Sequence, residues 1–369
     1  MKSSLPYRPR HESKTMVKLT PDQLHRAEAL FAPLTGLHLS IAAVLAGTAR
    51  GEVWVDDGVH PRVGYAMTTE GHYLAGDAAD ASVYAALRAL IPHQAYLVVE
   101  PEAWVAVLDQ IWDNPFARRH DRKSYRLAMP RLGSWRAQIP DGYAITRVDA
   151  AFLARTDLRY HDEIADRAAE WPSVDDFLTR GFGFCIVHDD TIASRCIADC
   201  VVDRRCEVGV GTEPEHRRRG LGSAVVAAAV EHCVEAGFTH VGWHCLRSNR
   251  GSIAVAERTG FRHVADYAAY SAVLPAENPG DLTEAECIDW ALHYERASDA
   301  IGWYAFFAAG AWALAGDRTR SLRNVQRLLD NGWRGRPQWL ERNWMFASMQ
   351  ADPAFQQQIA ALRAAQETA

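Results

Sequence analysis

The stretch that decides the fold is EPEHRRRGLGSAV, residues Glu213–Val225. Three arginines run into a Gly-Leu-Gly sequence here, and an alanine-rich helical pattern follows. The first amides of a helix have no partner within it, and the helix dipole is positive at that end. The sequence therefore predicts an anion-binding turn over Arg217–Gly222, in which Gly220 and Gly222 leave room for a phosphate.

Two other interpretations of this turn stay open on the residues alone. The first is a solvated charged turn before a helix, which explains the same residues without a ligand. The second is a basic patch that binds nucleic acid. The net charge of the chain is −6, which disfavours nucleic acid as a partner. The lysine of a P-loop and its Ser/Thr neighbour are absent. Donors that converge on one point favour a pyrophosphate.

The composition is that of an ordinary globular protein with two or three domains: 369 residues, 48% hydrophobic and 23% charged. The seven cysteines contain no CxxC pair and match no standard zinc spacing, so we expect reduced core cysteines and no metal. We find no secretory signal and no apolar run of about 20 residues, which predicts a cytoplasmic protein without a membrane partner.

The chain divides into a tail and three blocks. Residues 1–18 are polar and basic and are predicted to be a disordered tail. Residues 19–132 alternate strand and helix patterns, which indicates an α/β domain. Residues 133–275 contain the arginine–glycine turn among five or more strands. Residues 281–369 show only helical patterns and resemble tetratricopeptide hairpins. The predicted helices are Thr283–Ala297, Tyr304–Ala315, Thr319–Asp330, Gln338–Met349 and Pro353–Ala365. The sequence leaves two roles open for this block, a homodimer interface and a protein-binding surface.

The strand before the turn, CEVGVGT, places Gly209 and Gly211 on one face. Glycines inside a strand mark a close approach of backbone or ligand. Glu207 shares that face if no bulge interrupts the alternation, which makes it a candidate general base. An exposed or salt-bridged strand carboxylate is the alternative, and Asp199 on the neighbouring strand is the second candidate base.

Two motifs at the expected separation resemble the GCN5-related N-acetyltransferase (GNAT) superfamily. Arg217-Arg218-Arg219-Gly220-Leu221-Gly222 fits R/Q-x-x-G-x-G/A, and Asn249, Ser252 and Gly260-Phe261 fit a second element. The resemblance implies a mixed, mostly antiparallel sheet flanked by helices over residues 133–275. The pattern around WHC is similar to the zwittermicin-resistance subgroup, in which an α/β region precedes the core. Whether that region is a degenerate second copy is left open.

The resemblance implies acetyl-CoA as cosubstrate, and a set of residues that would hold it. Strand backbone would pair with the pantetheine arm, the turn would hold the pyrophosphate, and the second motif would contact the cofactor beside its helix. The predicted cofactor-binding residues are Val210, Thr212, Arg217, Arg218, Arg219, Gly220, Leu221, Gly222, Asn249 and Ser252. A helix N-cap is the alternative role for Asn249.

The family's usual acid is a tyrosine at the position of Ala256 here. Tyr267 is the candidate acid in its place, with Tyr270 as the other choice and half-buried strand tyrosines as the alternative interpretation. Negative charge for a cationic acceptor is predicted on the first core helix, where a solvated helix face is the alternative. The residues concerned are Asp162, Glu163, Asp166 and Glu170, with Trp171 either lining the pocket or packing.

The predicted function is acetyl transfer from acetyl-CoA to the primary amine of a small molecule, by direct attack in a ternary complex. The alternative is a catalytically idle acetyl-CoA-binding module that recognises a protein through the helical block. The acceptor is left open among antibiotics, polyamines, amino acids and protein lysines.

Overall fold

The computed structural model of the protein describes residues 14–367. Its strands are β1 Val17–Lys18, β2 Gly51–Val55, β3 Val63–Thr68, β4 His72–Gly76, β5 Leu97–Glu100, β6 Arg118–Leu127, β7 Tyr143–Arg147, β8 Gly183–His188, β9 Thr191–Val202, β10 Arg205–Thr212, β11 His240–Leu246 and β12 Phe261–Ser271. Its α-helices are α1 Glu28–Thr35, α2 Leu39–Leu45, α3 Tyr84–Leu90, α4 Leu108–Ile111, α5 Ala150–Leu153, α6 His161–Ala169, α7 Val174–Arg180, α8 Leu221–Glu235, α9 Arg250–Thr259, α10 Glu284–Ala300, α11 Tyr304–Leu314, α12 Arg318–Asp330, α13 Gln338–Glu341 and α14 Pro353–Glu367.

All the strands of the described residues join one mixed sheet, in the order β1-β2-β3-β4-β5-β12-β6-β11-β10-β9-β8-β7. Most neighbouring strands are antiparallel, whereas β4 runs parallel to β5 and β10 runs parallel to β11. The predicted mixed, mostly antiparallel sheet flanked by helices is therefore present.

The two halves of the sheet repeat one topology. Read inward from either edge, β1–β5 and β7–β11 occupy matching places, and each half ends its run in a parallel pair. The last strand of each half crosses over: β6 lies beside β11, and β12 pairs with β5. The first block is thus a second copy of the strand arrangement, built into the same sheet.

Local sequence explains the turns that frame the second half. Asp189 adopts a left-handed φ of 52° between β8 and β9, where the sequence predicts a hairpin, and Asp203 does the same between β9 and β10. Short polar side chains tolerate this conformation best after glycine. The acidic helical segment divides into α6 and α7, and the Ser173 side chain caps α7.

The structure divides the chain elsewhere than at residue 132. One compact unit comprises the described residues up to Pro115 with Asp121–Cys245 and Ala254–Ser271, and the second comprises Phe116–His120, Leu246–Ile253 and the described residues from Ala272 onward. Residues 19–132 and 133–275 therefore do not form separate units. Of the predicted tail, residues 1–13 lie outside the described part, and Val17–Lys18 pair with β2.

The second unit carries the predicted helices α10–α14. The Thr283 side chain and Glu286 cap α10 reciprocally, which fixes its start. Its core is aromatic, with Tyr294, Tyr304 and Phe346 fully buried. The predicted helix over 338–349 instead divides into α13 and a 3-10 turn at Trp344–Met349. No helix among residues 14–367 is long and apolar enough to cross a membrane.

Candidate active site

The predicted anion turn opens a cradle at the start of α8. Gly220 caps the helix with a left-handed φ of 81°, and Arg218 before it adopts 65°. A Cβ placed on Gly220 would meet nothing within 4 Å, so the space beside the helix start is open. Because α-helical bonding begins with the Ala224 N–H donating to the Gly220 carbonyl, the amides before Ala224 lack an α-helical partner.

The three arginines of the turn have different environments. The Arg217 Nε donates to the Thr212 carbonyl at 2.9 Å and ties the turn to the end of β10. Arg218 and Arg219 are exposed, and within residues 14–367 neither forms an ion pair. Two exposed guanidinium groups therefore stand immediately before the helix start with its unpaired amides, and this combination fits a phosphate group.

The parallel pair β10 and β11 separates next to this turn. Their register covers only Arg205–Glu207 against His240–Gly242. Beyond Glu207, β10 remains paired with β9 on its other side through Thr212. The backbone of Val210 and Thr212, predicted to bind the cofactor arm, therefore lies along an edge that is not paired with β11.

Two side chains from β9 explain the strand glycines. A Cβ on Gly209 would lie 2.8 Å from Asp199 Oδ1, and one on Gly211 would lie 2.8 Å from the Arg195 Cζ. The close approach predicted for these glycines is therefore made by side chains of the neighbouring strand. A bulge sits opposite Glu207, with Asp199 as its extra residue, so it lies on β9 and leaves the alternation of β10 intact.

Glu207 lies at the point where β10 and β11 separate, in a buried polar cluster. The side chain is 6% exposed. Its Oε1 accepts the Leu39 N–H at 2.8 Å and lies 3.2 Å from His244 Nε2. The other ring nitrogen, His244 Nδ1, lies 3.1 Å from the Tyr267 hydroxyl. The structure therefore brings the two predicted catalytic residues together through a histidine.

His244 is the functional candidate that sequence reasoning missed. It stands on β11 in THVGWHC, two positions after Gly242, the residue paired with Glu207. The two-residue period of a strand places it on the face of Gly242, and this alternation could have identified it. His38 is a second missed residue: its ring stacks on His244 at 5.2 Å, and burial lowers its pKa well below the usual value.

Acidic side chains gather beside this cluster. Arg167 pairs with Glu70 at 3.2 Å and with Glu170 at 2.9 Å. Burial, followed by the charge of Glu70, raises the pKa of Asp199 well above its usual value. Burial raises the pKa of Glu70 too. Two carboxylates therefore contact one guanidinium, and Asp199 interacts with that guanidinium electrostatically.

The remaining residues of the predicted acidic helix have structural roles or face solvent. Asp162 and Asp166 are exposed, and Glu163 pairs with Arg195. Trp171 is buried against Phe177 with ring centroids 5.7 Å apart, so it packs. Only Glu170 of this predicted group takes part in the acidic cluster around Asp199.

The second motif begins α9. Asn249 Oδ1 accepts the Ser252 N–H at 2.9 Å, the contact of a helix cap, and its Nδ2 donates to Glu277 at 2.5 Å. Both residues belong to the second compact unit. The capping interpretation of Asn249 therefore holds, and cofactor contacts of Asn249 and Ser252 stay predictions. Ala256 is fully buried, and Tyr270 is 8% exposed opposite Leu97 of β5.

The first half has no equivalent cradle among its described residues. Its parallel pair stays in register over all four positions from His72 to Ala75. After β4 the chain carries Asp77 and Asp80, which pair with Arg62 and Lys14. Carboxylates at this place would repel a phosphate, so the second half alone offers a site for one.

The chain has a mixed sheet in which a parallel strand pair separates beside a helix start capped by glycine. This arrangement defines the class of protein, a GNAT-type acyltransferase. The family described as GNAT acetyltransferase matches residues 35–270, more than half of the chain, and the chain belongs to this family. It is therefore an N-acetyltransferase. The match includes most of the first half of the sheet.

The chain also resembles individual known proteins in sequence or in structure. The chain is 27% identical over 241 residues to an uncharacterized N-acetyltransferase of Bacillus subtilis, YdfB, covering 62% of this chain and 88% of that one. A GCN5-related N-acetyltransferase-like protein of Streptococcus suis has a similar structure, with a TM-score of 0.54, 20% identity, and coverage of 68% and 98%. A GCN5-related N-acetyltransferase of Sphaerobacter thermophilus has a TM-score of 0.46 and 13% identity, and the match covers 71% of this chain and 95% of that one.

Proposed function

We propose that the protein transfers the acetyl group of acetyl-CoA to the primary amine of a small molecule, by direct attack in a ternary complex. The observation that carries the proposal is the open cradle at the α8 start beside the separated edge of β10. The amides after Gly220 would hold the pyrophosphate, with Arg218 and Arg219 adding charge.

The edge of β10 would orient the rest of the cosubstrate. Backbone groups of Val210 and Thr212 would pair with the pantetheine arm in the way an added strand pairs. Acetyl-CoA supplies the acetyl group as an activated thioester when it is bound. An amide near Val210 would polarise its carbonyl group.

The residues of the buried cluster would transfer the protons of the reaction. An amine attacks only after its ammonium form has lost a proton, and the departing thiolate gains one. Glu207 is the proposed base, which would act through His244, and Tyr267 is the proposed acid that protonates the departing thiolate; their connection through His244 supports this pairing. The Glu70 and Glu170 carboxylates on either side of Arg167 supply negative charge that favours a cationic acceptor. The zwittermicin-resistance subgroup stays a proposal based on sequence resemblance.

Calorimetric titration with acetyl-CoA tests the cradle. In Gly220→Ala the new methyl enters the open space, so we expect acetyl-CoA affinity to fall at least tenfold. Gly47→Ala is the matched control because Gly47 also has a left-handed φ and open space around it. Both changes introduce similar backbone strain of about 1–2 kcal/mol. Equal affinities of the two variants would refute the cradle.

A thiol-release assay separates the enzyme from the alternative, a catalytically idle acetyl-CoA module that recognises a protein through helices α10–α14. The buried Ala256, in the place of the family's tyrosine, favours that alternative. Kanamycin, spermidine, L-lysine and a lysine-containing peptide sample the acceptor classes. Turnover with one of them supports the enzyme, whereas acetyl-CoA binding without turnover supports the idle module.

A further inference from the structure

The hydrogen bonds of the buried cluster fix the tautomer of His244. A carboxylate has no hydrogen to give, so Glu207 Oε1 accepts from His244 Nε2, which must carry the ring proton. Nδ1 is then an acceptor, and the Tyr267 hydroxyl donates to it. The chain of donors therefore runs in one direction, from the phenol through the imidazole to the carboxylate.

Residues His38 and Leu39 border the His244 ring and the Glu207 carboxylate. His38 stacks on His244, and its own pKa is lowered well below the usual value by burial and then by His244 and Arg122. A neutral His38 adds no second positive charge. The Leu39 N–H holds the Glu207 carboxylate in place from the start of α2. Tyr73 contacts His38, and Arg122 lies over the Tyr267 ring.

Tyr267 does not ionise unaided in this environment. Burial, more than any nearby charge, raises its pKa above the usual value, although Arg122 opposes the shift. Its hydroxyl can still pass a proton to His244 when it receives another at the same moment. The phenol therefore works as a bridge between the reacting groups and the imidazole.

We propose that His244 is a positioning residue that stores the transferred proton between the two halves of the reaction, with Glu207 as its counter-charge. The proposal rests on the proposed acetyl transfer. As the amine nitrogen bonds to the acetyl carbon, an amine proton passes to the Tyr267 oxygen while the phenol proton passes to His244 Nδ1. As the carbon–sulfur bond breaks, His244 Nδ1 returns its proton to the Tyr267 oxygen while the phenol proton passes to sulfur. The proton count balances for an amine that enters as the neutral base, because nitrogen loses one proton and sulfur gains one.

The first test replaces the ring with an amide. In His244→Gln the amide can still donate to Glu207 but cannot hold a proton, so kcat is expected to fall about 10²–10⁴-fold. KM for acetyl-CoA and the melting temperature should change little, because the loss affects the proton transfer and not cosubstrate binding or folding. His240→Gln is the matched control on the same face of β11. Turnover by His244→Gln within threefold of the parent protein would overturn the proposal.

The second test compares single and double variants. Tyr267→Phe keeps the ring and removes the hydroxyl, and the double variant with His244→Gln should be no slower than the slower single one. Losses that multiply would show that the two residues act separately, which contradicts the proposal.

A third measurement needs no acceptor amine. In the parent protein with ¹⁵N-labelled histidine, the His244 signals, assigned by their absence in His244→Gln, should show a protonated Nε2 and an accepting Nδ1. A proton on Nδ1 would overturn the proposal even if acetyl transfer is confirmed. Conversely, failure of the intact protein to bind acetyl-CoA or turn over any amine would refute the proposed function itself.

Discussion

Glu207→Gln tests the electrostatic core of the site. In the parent protein the carboxylate faces His244 at 3.2 Å. At an effective dielectric constant of about 20, a full charge pair at this separation attracts by about 5 kcal/mol. Every 1.4 kcal/mol corresponds to about tenfold in rate, so complete loss of the pair would slow turnover about 10³–10⁴-fold. The glutamine dipole retains part of the attraction, and we expect kcat to fall at least 10²-fold.

Folding should be affected far less. Glutamine can still accept the Leu39 N–H, and bonds to a neutral acceptor are weaker by about 1 kcal/mol each. The relief from burying a charge acts in the opposite direction. Saturating thiol-release kinetics and thermal melts on the same samples separate the two effects. Glu213→Gln is the control, since Glu213 is a buried carboxylate paired with Arg195 outside the proton chain. A kcat for Glu207→Gln within threefold of the parent would refute the reasoning.

Three further changes test the surroundings. Gly209→Ala places a methyl 2.8 Å from Asp199 Oδ1 and should lower the free energy of unfolding by about 1–3 kcal/mol in denaturant titrations. Gly58→Ala is the control because Gly58 lies in open space, and its free energy of unfolding should be within about 0.5 kcal/mol of that of the parent. Burial raises the pKa of Asp199 above 3.8, so the cost of burying the ionised carboxylate is absent below pH 3.8 and grows as the pH rises. Asp199→Asn should therefore have a higher melting temperature than the parent at pH 7, and the difference should shrink on acidification. A lower melting temperature of Asp199→Asn at pH 7 would contradict this. Thr283→Ala removes the capping box of α10 and should cost about 1 kcal/mol in chemical unfolding; an unchanged midpoint would count against the cap.

The sequence predicted the features that depend on local chemistry. The arginine–glycine turn, the Asp189 hairpin and the helices of residues 284–367 follow from glycine conformation, turn residues and helical spacing, and each is present. Glu207 was a hypothesis from strand alternation, and Tyr267 was a hypothesis from the absence of the family's tyrosine at Ala256. The structure joins them through His244, and their catalytic roles stay proposals.

The sequence did not predict the features that depend on pairing between distant segments. β6 is RRHDRKSYRL, whose charges hide a strand that lies between β11 and β12 within the sheet. α2 is only seven residues long and lacks a side-chain cap, so its pattern was missed, and His38 and the Leu39 amide were missed with it. The boundary expected at residue 132 failed for the same reason, since no local pattern shows that two blocks share one sheet.

The exchange of β6 and β12 makes the two halves mutually dependent. A fragment that starts after residue 132 would lack the strand beside β11 and the Leu39 amide that holds Glu207, although it would keep every residue of the two sequence motifs. The half of the sheet without either motif is therefore needed twice, once to complete the strand order and once to hold the Glu207 carboxylate. A truncated enzyme built from the motifs alone should be inactive even where it stays in solution.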